Sequence, residues 1–294
     1  MTTWTALTTL AAEGPAQTLA AQMDELLDPA PTGIGCFEIE DGSGRWEVGG
    51  YFTEKPDEAA LALLATMAGA RPFAVSKLPD RDWVAQVRRE LHPITTGRFV
   101  VHGAHDAHRV GLNDWGLAIE AAMAFGTGHH ATTQGCLWLI AHLVKTGTGA
   151  GWRPRRVADI GCGTGVLAMA AARAWHSRAL ASDIDPVAAE TARANAAVNG
   201  LNGHVATLTA TGFRHPRLRY SAPYDLVLAN ILAAPLKRLA PDIRRHLAPG
   251  GYAVLSGLLS AQAPGVEAVF RAQGFRRVTL KRIAGWTSLL LQKV

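Results

Sequence analysis

The chain has 294 residues, of which 48% are hydrophobic and 18% charged, and its formal net charge is +5. This length and apolar content are typical of two domains with a large buried core, and they exclude an intrinsically disordered chain. The three cysteines, Cys36, Cys136 and Cys162, are too widely spaced for a zinc site or a set of disulfides, which favours a reducing cytoplasm. No Lys or Arg precedes Arg45, so a basic secretory or transit sequence is not expected.

The charge is divided unequally along the chain. Residues 1–90 hold 7 Lys and Arg against 14 Asp and Glu, whereas residues 91–294 hold 22 against 10. Such asymmetry often marks a domain boundary, and an acidic N-terminal part can attract a basic partner at long range. Two solvated surfaces without a partner would explain the same division equally well.

Two uncharged stretches, 121–144 and 247–266, are long enough to suggest membrane helices. Each contains several glycines, and the first also carries adjacent histidines and two threonines. We therefore expect no membrane association.

The first 92 residues alternate between strand and helix patterns. Strands are predicted close to the start, over 35–40, over 46–52 and near 73–77, and helices over 15–27, 57–67 and 82–91. The turn Asp41-Gly-Ser-Gly between the second and third strands is a strong hairpin signal. This order predicts a small α+β domain of the ferredoxin-like kind over 1–92. It contains no catalytic constellation, so its expected work is substrate recognition.

Residues 93–120 are predicted to form a linker with short strands. The strands are expected over 98–102 and 117–120. Three histidines, His102, His105 and His108, occur here at every third position, and imidazole is a common ligand of transition metals. The neighbouring Gly, Ala and Asp residues indicate a loop, and neither a cysteine nor a second acidic cluster lies nearby in the sequence. We therefore expect no metal site.

A glycine-rich stretch follows, Ala124-Phe-Gly-Thr-Gly-His-His-Ala-Thr-Thr. Its glycines predict a flexible loop that could close over a cofactor, and Thr132 or Thr133 could cap the following helix. The pattern gives no role to the adjacent His129 and His130. From these residues alone, a purely structural loop is a fair alternative.

The motif around which the remaining chain is organised is Asp159-Ile-Gly-Cys-Gly-Thr-Gly, between a short apolar strand and an alanine-rich helix. Gly161, Gly163 and Gly165 allow a sharp turn that brings backbone N–H groups close to a ligand at the start of the helix. Asp183 follows Gly161 by 22 residues, at the end of a second apolar strand. A carboxylate there can accept hydrogen bonds from both hydroxyls of a ribose, so a nucleotide-like ligand is expected.

The spacing of the glycines distinguishes between ligands. A dinucleotide fingerprint is G-x-G-x-x-G, but the last glycine position is Val166 here and the pattern is G-x-G-x-G. Asp159, just before the first glycine, would repel a pyrophosphate but suits a ligand with a cation and no phosphate. S-adenosyl-L-methionine (SAM) carries a sulfonium, an ammonium and a ribose, so SAM is the expected cofactor.

Strand and helix patterns alternate regularly over 121–294. Strands are predicted over 155–160, 179–185, 204–209, 224–231 and 252–256, followed by a hairpin of 276–283 and 287–292, with helices over 164–175, 186–199, 232–246 and 263–273. We predict an α/β domain whose seven strands are mostly parallel, with helices on both faces and an antiparallel terminal hairpin. Since a dinucleotide-binding sheet has six strands, this count also favours a methyltransferase.

The expected reaction centre is the end of the fourth strand, Leu228-Ala-Asn-Ile-Leu. Ligands bind beyond the carboxyl ends of the strands in open α/β sheets, so Asn230 should face the glycine loop. Its side-chain carbonyl can accept a hydrogen bond from an amine and align the nitrogen lone pair with the methyl group. A lysine ammonium, with a free pKa of about 10.4, must first lose its proton, which a site poor in water favours. An ordinary turn residue is the structural alternative for Asn230.

Several segments together resemble one bacterial family, the methyltransferases of large-subunit ribosomal protein L11 (ribosomal protein methyltransferase A). They are Gly126-Thr-Gly-His-His-Ala-Thr-Thr, Asp159-Ile-Gly-Cys-Gly-Thr-Gly, Ser182-Asp-Ile-Asp-Pro, Ala229-Asn-Ile-Leu-Ala-Ala-Pro-Leu and Leu255-Ser-Gly-Leu-Leu. The match is specific over about residues 80–294 and weak before that. The resemblance implies a class I SAM-dependent catalytic domain joined by a mobile linker to a substrate-recognition domain. It also implies methylation of lysine side chains and of the N-terminal amine of the ribosomal protein, up to trimethylation.

By the same resemblance, Thr133, Gly161, Asp183 and Asn230 contact the cofactor, and Asn230 lies between cofactor and substrate. The chain departs from the usual residues of the family at four positions, with Val87, Leu91, His129 and Ala131 in place of Trp, Phe, Thr and Pro. These departures concern substrate fit and linker motion rather than the chemistry.

Other functions stay open at this point. A lysine methyltransferase acting on another protein, such as electron-transfer flavoprotein β subunit, would have a similar catalytic domain. Amino-methyltransferases of nucleic acids usually carry Asn-Pro-Pro-Tyr, whose ring stacks on a flipped base, whereas Asn230-Ile-Leu supplies no ring, so no direct nucleic-acid partner is expected. A SAM-binding or ribosome-binding protein without turnover is the third alternative. We expect a cytoplasmic, monomeric protein-lysine N-methyltransferase.

Overall fold

A computed structural model of the chain describes residues 4–39, 44–77, 93–119, 129–149 and 151–294. These residues form two compact units, one that ends at Lys77 and one from Pro93 onward apart from His129. Three predicted features lie wholly or mostly outside the described residues, namely the hairpin turn at 41–44, the helix over 82–91 and the glycine-rich loop over 124–128. The domain boundaries at 92 and 120 stay a prediction.

The smaller unit is an antiparallel sheet of four strands with two helices. Its elements are β1 (Trp4–Leu10), α1 (Glu13–Leu26), β2 (Gly33–Glu38), β3 (Trp46–Phe52), α2 (Glu58–Ala68) and β4 (Ala74–Lys77). The strands lie in the order β2-β3-β1-β4, and all neighbours are antiparallel. This is the ferredoxin-like arrangement, so the fold predicted for this part of the chain is confirmed.

Local sequence explains how these helices form and pack. Helix α1 buries apolar residues at helical spacing, Ala16, Leu19, Ala20 and Met23. A Cβ at Gly50 of β3 would lie 2.7 Å from Met23 Cε, so the glycine allows α1 to pack closely on the sheet. Helix α2 begins after Asp57, whose carboxylate accepts hydrogen bonds from the N–H groups of Ala59 and Ala60 at 2.8 and 3.3 Å.

The larger unit contains a sheet of three strands and a sheet of seven. The first sheet consists of β5 (Ile94–Thr96), β6 (Phe99–His102) and β7 (Trp115–Ala118), with a 3₁₀ helix over Ala104–Arg109. The strands of the second are β8 (Arg156–Ile160), β9 (Arg178–Asp183), β10 (Val205–Thr209), β11 (Tyr224–Asn230), β12 (Leu247–Leu259), β13 (Phe275–Ile283) and β14 (Trp286–Lys293). The helices are α3 (His129–Gly149), α4 (Val166–Trp175), α5 (Pro186–Val198), α6 (Pro216–Tyr220), α7 (Ala233–His246) and α8 (Ala263–Ala272).

The seven-stranded sheet has the order β10-β9-β8-β11-β12-β14-β13. The first five strands in this order are parallel, and β14 is antiparallel to both of its neighbours. One apolar cluster covers the face with α3 and α4, and a second covers the face with α7 and α8. The predicted α/β domain with a terminal hairpin is therefore confirmed. Because the chain order reverses between β8 and β11, a cleft is expected at their carboxyl ends.

Three details differ from the sequence prediction. Strand β12 is longer than 252–256, because Leu247 already pairs with Tyr224 of β11 across a register shift. Helix α6 was not predicted, since five residues are too few for a helical repeat; the Nδ1 of His215 accepts from the Arg217 N–H at 3.1 Å and caps it. Strand β5 was also missed.

Residues that the sequence assigned to a linker pack within the larger unit. Phe99, Leu117 and Ile119 belong to the same apolar cluster as α3 and α4. Asn199, directly after α5, accepts from the Ala118 N–H at 2.8 Å and donates to the Ala118 carbonyl at 2.7 Å. These contacts connect the end of β7 to the helices beside the large sheet.

None of the helices formed by the described residues combines the length and apolar character needed to cross a membrane. Of the two stretches that suggested membrane helices, 247–266 forms β12 and the beginning of α8. The described part of the other forms the first turns of α3.

Candidate active site

The loop between β8 and α4 carries the three glycines of the motif. Gly161, Gly163 and Gly165 have φ angles of 72°, 51° and 77°, which disfavour any residue with a side chain. A Cβ at Gly161 would overlap the side chain of Ile231, and one at Gly165 would lie 2.9 Å from Cβ of Ala192. A Cβ at Gly163 would have no neighbour within 4 Å among the residues that the structure describes.

The N–H groups of this loop donate hydrogen bonds within the protein. Those of Gly161 and Cys162 donate to the Ser182 carbonyl at 2.8 and 3.0 Å, and that of Gly165 donates to the Cys162 carbonyl at 2.8 Å. The N–H of Gly163 donates to Asp183 Oδ2 at 2.9 Å. Three of these N–H groups are thus engaged by β9 and that of Gly165 by the loop itself, and a contact of the glycines with a cofactor stays a prediction.

Asp159 lies at the carboxyl end of β8 with 1% of its surface exposed. Its Oδ2 accepts from the Ala168 N–H in the first turn of α4 at 2.9 Å, whereas its buried Oδ1 has no hydrogen-bond partner among the described residues. Burial raises the pKa of Asp159 to about 7; the Ala168 hydrogen bond lowers this pKa and the charge of Asp183 raises it further. A cation that reached Oδ1 would satisfy this orphaned acceptor.

Asp183 ends β9 and is half-buried. Its Oδ2 accepts from the Gly163 N–H, and its Oδ1 accepts from the Asp185 N–H at 3.1 Å. Each carboxylate oxygen has two lone pairs, so both retain the capacity to accept from a further donor such as a ribose hydroxyl. The structure thus brings Asp183 and the glycine loop together, while the role of Asp183 in holding a ribose stays a prediction.

Asn230 ends β11, the strand beside β8. Its Nδ2 donates to Oγ1 of Thr132 at 3.3 Å, and its buried Oδ1 has no hydrogen-bond partner among the described residues. An unsatisfied buried acceptor costs about 1–3 kcal/mol. The carboxamide therefore presents an acceptor that an N–H donor can fill, at the edge of the sheet where Asp159 and Asp183 also lie.

Helix α3 begins at His129, so Thr132 and Thr133 lie within its first turns. The prediction that one of them caps the helix is wrong, because the helix starts at least three residues earlier. Thr132 and Thr133 are 1% and 4% exposed. Thr132 contacts Asn230, a contact that sequence reasoning missed because nothing in the sequence distinguishes the two threonines. The predicted cofactor contact of Thr133 stays a prediction.

The histidines show no metal centre where they can be described. His102 lies in β6 with Nδ1 2.8 Å from the Gly103 carbonyl oxygen. Within the parts of the chain that the structure covers, no three His, Cys, Asp or Glu side chains are grouped as metal ligands would be. The side chains of His105, His129 and His130 lie outside what the structure describes.

Comparison with known proteins decides the family. Residues 10–294 match the family model of ribosomal protein L11 methyltransferase (PrmA). The chain belongs to this family. A ribosomal protein L11 methyltransferase from Bradyrhizobium diazoefficiens is 45% identical over 289 residues, which cover 97% of this chain and 96% of the relative. One from Brucella suis is 42% identical over 259 residues, 88% of this chain and 89% of the relative.

A solved structure agrees with this assignment. The crystal structure of ribosomal protein L11 methylase from Lactobacillus delbrueckii subsp. bulgaricus aligns with a TM-score of 0.59 and 26% identity, over 69% of this chain and 99% of that chain. The resemblance seen in the sequence motifs is thus confirmed, and the match reaches into the N-terminal unit, where the motifs were weak. The chain is a class I SAM-dependent methyltransferase.

Proposed function

We propose that this protein transfers methyl groups from SAM to amino groups of ribosomal protein L11, namely lysine side chains and the N-terminal amine. The names of the relatives support this substrate. The observation that carries the chemistry is the buried, unpartnered Oδ1 of Asn230 at the carboxyl end of β11. An acceptor at that place suits an amine nucleophile, whose N–H it can bind.

The residues at this edge of the sheet fit SAM. Asp159 Oδ1 would receive the cationic end of the cofactor, and both oxygens of Asp183 can still accept from ribose hydroxyls. Gly161, Gly163 and Gly165 shape the floor of the site, and Thr133 would contact the cofactor from α3. The sulfonium supplies a methyl group that is already activated for transfer, so the protein has to bind and align rather than activate.

Asn230 would align the amine. A protonated amine has no lone pair, so the reacting nitrogen must be neutral, and the apolar strand before Asn230 favours the neutral form; Leu228 and Ala229 are fully buried. When Oδ1 accepts one N–H of the amine, the nitrogen lone pair is held in a fixed direction. A neutral primary amine has two N–H groups and a neutral monomethylamine has one, whereas a neutral dimethylamine has none. Asn230 would therefore assist the first two methyl transfers more than the third.

The N-terminal unit would recognise the substrate. Residues 1–90 carry 14 acidic against 7 basic residues, which favours a basic ribosomal protein as the partner through long-range attraction.

We place the protein in the cytoplasm as a monomer without a nucleic-acid substrate. The cytoplasmic assignment is supported by Cys36, Cys136 and Cys162, which are all free and buried.

A substrate panel tests this proposal. Purified ribosomal protein L11, electron-transfer flavoprotein β subunit and an RNA oligonucleotide would each be incubated with the protein and SAM labelled in the methyl group. We expect label in ribosomal protein L11 alone, removable by replacing its lysines and blocking its N-terminus. Label in the flavoprotein subunit or in RNA, with none in ribosomal protein L11, would overturn the proposed substrate and leave methyl transfer itself standing.

A further inference from the structure

The carboxamide of Asn230 has two chemically different ends, and only one of them can assist an amine. We propose that Thr132 is a positioning residue that holds this carboxamide with Oδ1 toward the reacting amine, and that Ser256 and Ser288 keep Thr132 in place. This inference rests on the proposed function, because it concerns the amine that Asn230 would align.

The direction of the amide matters for the chemistry. In the observed orientation Nδ2 donates to Thr132 Oγ1 at 3.3 Å and Oδ1 is left as an acceptor. If the amide were rotated by half a turn, Nδ2 would face the amine instead. A donor in that place would bind the nitrogen lone pair, which has to attack the methyl group. The rotated amide would thus oppose the reaction that the observed one assists.

A threonine in a helix is suited to hold the donor end of an amide. Helical threonines commonly donate their hydroxyl hydrogen to a backbone carbonyl of the preceding turn. Three other threonines of this chain, Thr18, Thr66 and Thr146, donate to the carbonyl four residues earlier, at 3.0, 2.8 and 2.8 Å. A hydroxyl that donates its only hydrogen to a backbone carbonyl can only accept from a neighbouring side chain. It therefore pairs with Nδ2 of the amide rather than with Oδ1.

Thr132 is held by a buried pair of serines, Ser256 and Ser288. Ser256 Oγ of β12 donates to the Thr132 carbonyl at 3.4 Å and is 2.7 Å from Ser288 Oγ of β14. Cys136 lies one turn after Thr132, and burial raises the pKa of its thiol to about 12, so it stays neutral. The two serine side chains thus connect the first turns of α3 to two neighbouring strands.

The close approach of α3 to the sheet depends on Gly135. A Cβ at Gly135 would overlap Ser288 Oγ and lie 3.1 Å from Ser288 Cβ. Ser256 is also the direct register partner of Asn230 between β12 and β11. Asn230, Ser256 and Thr132 therefore form a closed set of contacts, in which the strand pair places the amide and the helix sets its direction.

The test compares Thr132→Val, which keeps the shape but removes the hydroxyl, with Thr132→Ser, which keeps the hydroxyl. For Thr132→Val we expect kcat of methyl transfer to ribosomal protein L11 to fall by about 10- to 100-fold, the loss typical of a misaligned reactant. The dissociation constant of SAM and the KM for ribosomal protein L11 should change by less than about twofold, because the hydroxyl does not contribute to binding in this account. Thr132→Ser should recover kcat to within about threefold.

Thr146→Val is the matched control. Thr146 lies in the same helix, and its hydroxyl donates to the carbonyl of His142 at 2.8 Å. Its substitution should leave kcat unchanged. A fall in kcat of similar size for Thr146→Val would assign the effect to the helix rather than to Asn230 and would overturn the inference.

A double variant separates this inference from the proposed function. In an Asn230→Ala background, Thr132→Val should cause no further loss of kcat, because there is no amide left to position. An equal loss in both backgrounds, or a weakened SAM affinity with kcat unchanged, would overturn the role of Thr132 while methyl transfer stands. Absence of transfer by the unmodified protein to ribosomal protein L11 would instead refute the proposed function, and this inference with it.

Discussion

Buried polar groups are paired differently at the two ends of the strands in the seven-stranded sheet. We call the end where the parallel strands begin the amino edge and the end where they finish the carboxyl edge. At the amino edge, Lys293 Nζ donates to the carbonyls of Arg244 and Leu247 at 2.8 and 2.5 Å, and Tyr224 Oη donates to the Leu218 carbonyl at 2.7 Å. At the carboxyl edge, one oxygen of Asp159 and one of Asn230 are buried and have no partner among the described residues.

The difference indicates which edge the protein uses for stability and which for function. An unsatisfied buried acceptor costs about 1–3 kcal/mol, which a fold retains where a ligand later provides the missing donor. The side chains of Lys293 and Tyr224 at the amino edge already have their partners within the chain. Substitutions at the carboxyl edge should therefore reduce binding or rate, and substitutions at the amino edge should reduce stability alone.

The largest effect is expected for Asp183→Ala. Loss of two charge-assisted hydrogen bonds to ribose hydroxyls should weaken SAM binding by at least about 100-fold, measured by isothermal titration calorimetry. Asp185→Ala is the matched control, because Asp185 lies two residues away and caps α5 through the Val187 N–H at 2.9 Å. That variant should lose about 1 kcal/mol of stability and keep its SAM affinity. Undiminished SAM affinity in the Asp183 variant would remove this carboxylate from the site.

Asn230→Ala should lower kcat by about 100-fold while SAM affinity changes little, since Asn230 is proposed to align the amine. The loss should be greater for the first and second methyl groups than for the third, because a neutral dimethylamine has no N–H left for Oδ1. Intact-mass analysis of partly methylated ribosomal protein L11 would give the rate of each step. Equal slowing of all three steps would show that Asn230 does not act as an acceptor of an amine N–H.

Lys293→Met examines the amino edge. This change leaves the carbonyls of Arg244 and Leu247 without their donor, so we expect the free energy of unfolding in urea to fall by about 2 kcal/mol, with kcat unchanged. Lys281→Met on the neighbouring strand is the control; its ammonium lies 5.1 Å from the centre of the Trp138 ring, a contact that contributes about 0.5–1 kcal/mol. A loss of kcat in the Lys293 variant without loss of stability would contradict the claim that the amino edge contributes to stability alone.

The smallest effect concerns pH. The pKa of Asp159 in the ligand-free protein is raised to about 7, mainly by burial and further by Asp183. If the ionised carboxylate receives the cationic end of SAM, affinity should increase by roughly fivefold between pH 6 and pH 7, as the carboxylate loses its proton. Asp159→Asn should remove this dependence. An identical pH profile in that variant would assign the titration to another group.

The same shift has an opposite effect on the stability of the ligand-free protein. Because the folded pKa of Asp159 is above its unfolded value of about 3.9, the folded state binds more protons between about pH 4 and 7. This contribution to stability is fully present below about pH 4 and is lost as the pH rises through about 7. The loss should be on the order of a few kcal/mol and absent in Asp159→Asn.

Much of the site could be predicted because its signals are local or follow from topology. The glycine spacing and the two acids belong to one strand–turn–helix–strand segment, and the rule that ligands bind at the carboxyl edge places Asn230 beside them. The contact of Thr132 with Asn230 joins residues 98 positions apart, and that of Asn199 with Ala118 joins residues 81 apart. No pattern in a single sequence encodes such pairings, because they depend on how α3 and β7 pack.

The hydrogen-bond partners of the loop N–H groups also could not be predicted from the sequence. A glycine-rich turn indicates that N–H groups approach one another, but the sequence does not say what they bind. Here the neighbouring strand β9 provides the acceptors, through the Ser182 carbonyl and the Asp183 carboxylate. The cofactor was correctly inferred with the help of the charges of Asp159 and Asp183, while the backbone contacts expected of the glycines stay a prediction.

The most direct test of the account is a time course of intact mass for purified ribosomal protein L11 with saturating SAM, using the unmodified protein and Asn230→Ala side by side. We predict stepwise methyl additions to ribosomal protein L11 by the unmodified protein and about 100-fold slower additions by the variant, with equal SAM binding in both. Equal rates for the two proteins would contradict the claim that the orphaned acceptor at the carboxyl edge performs the alignment.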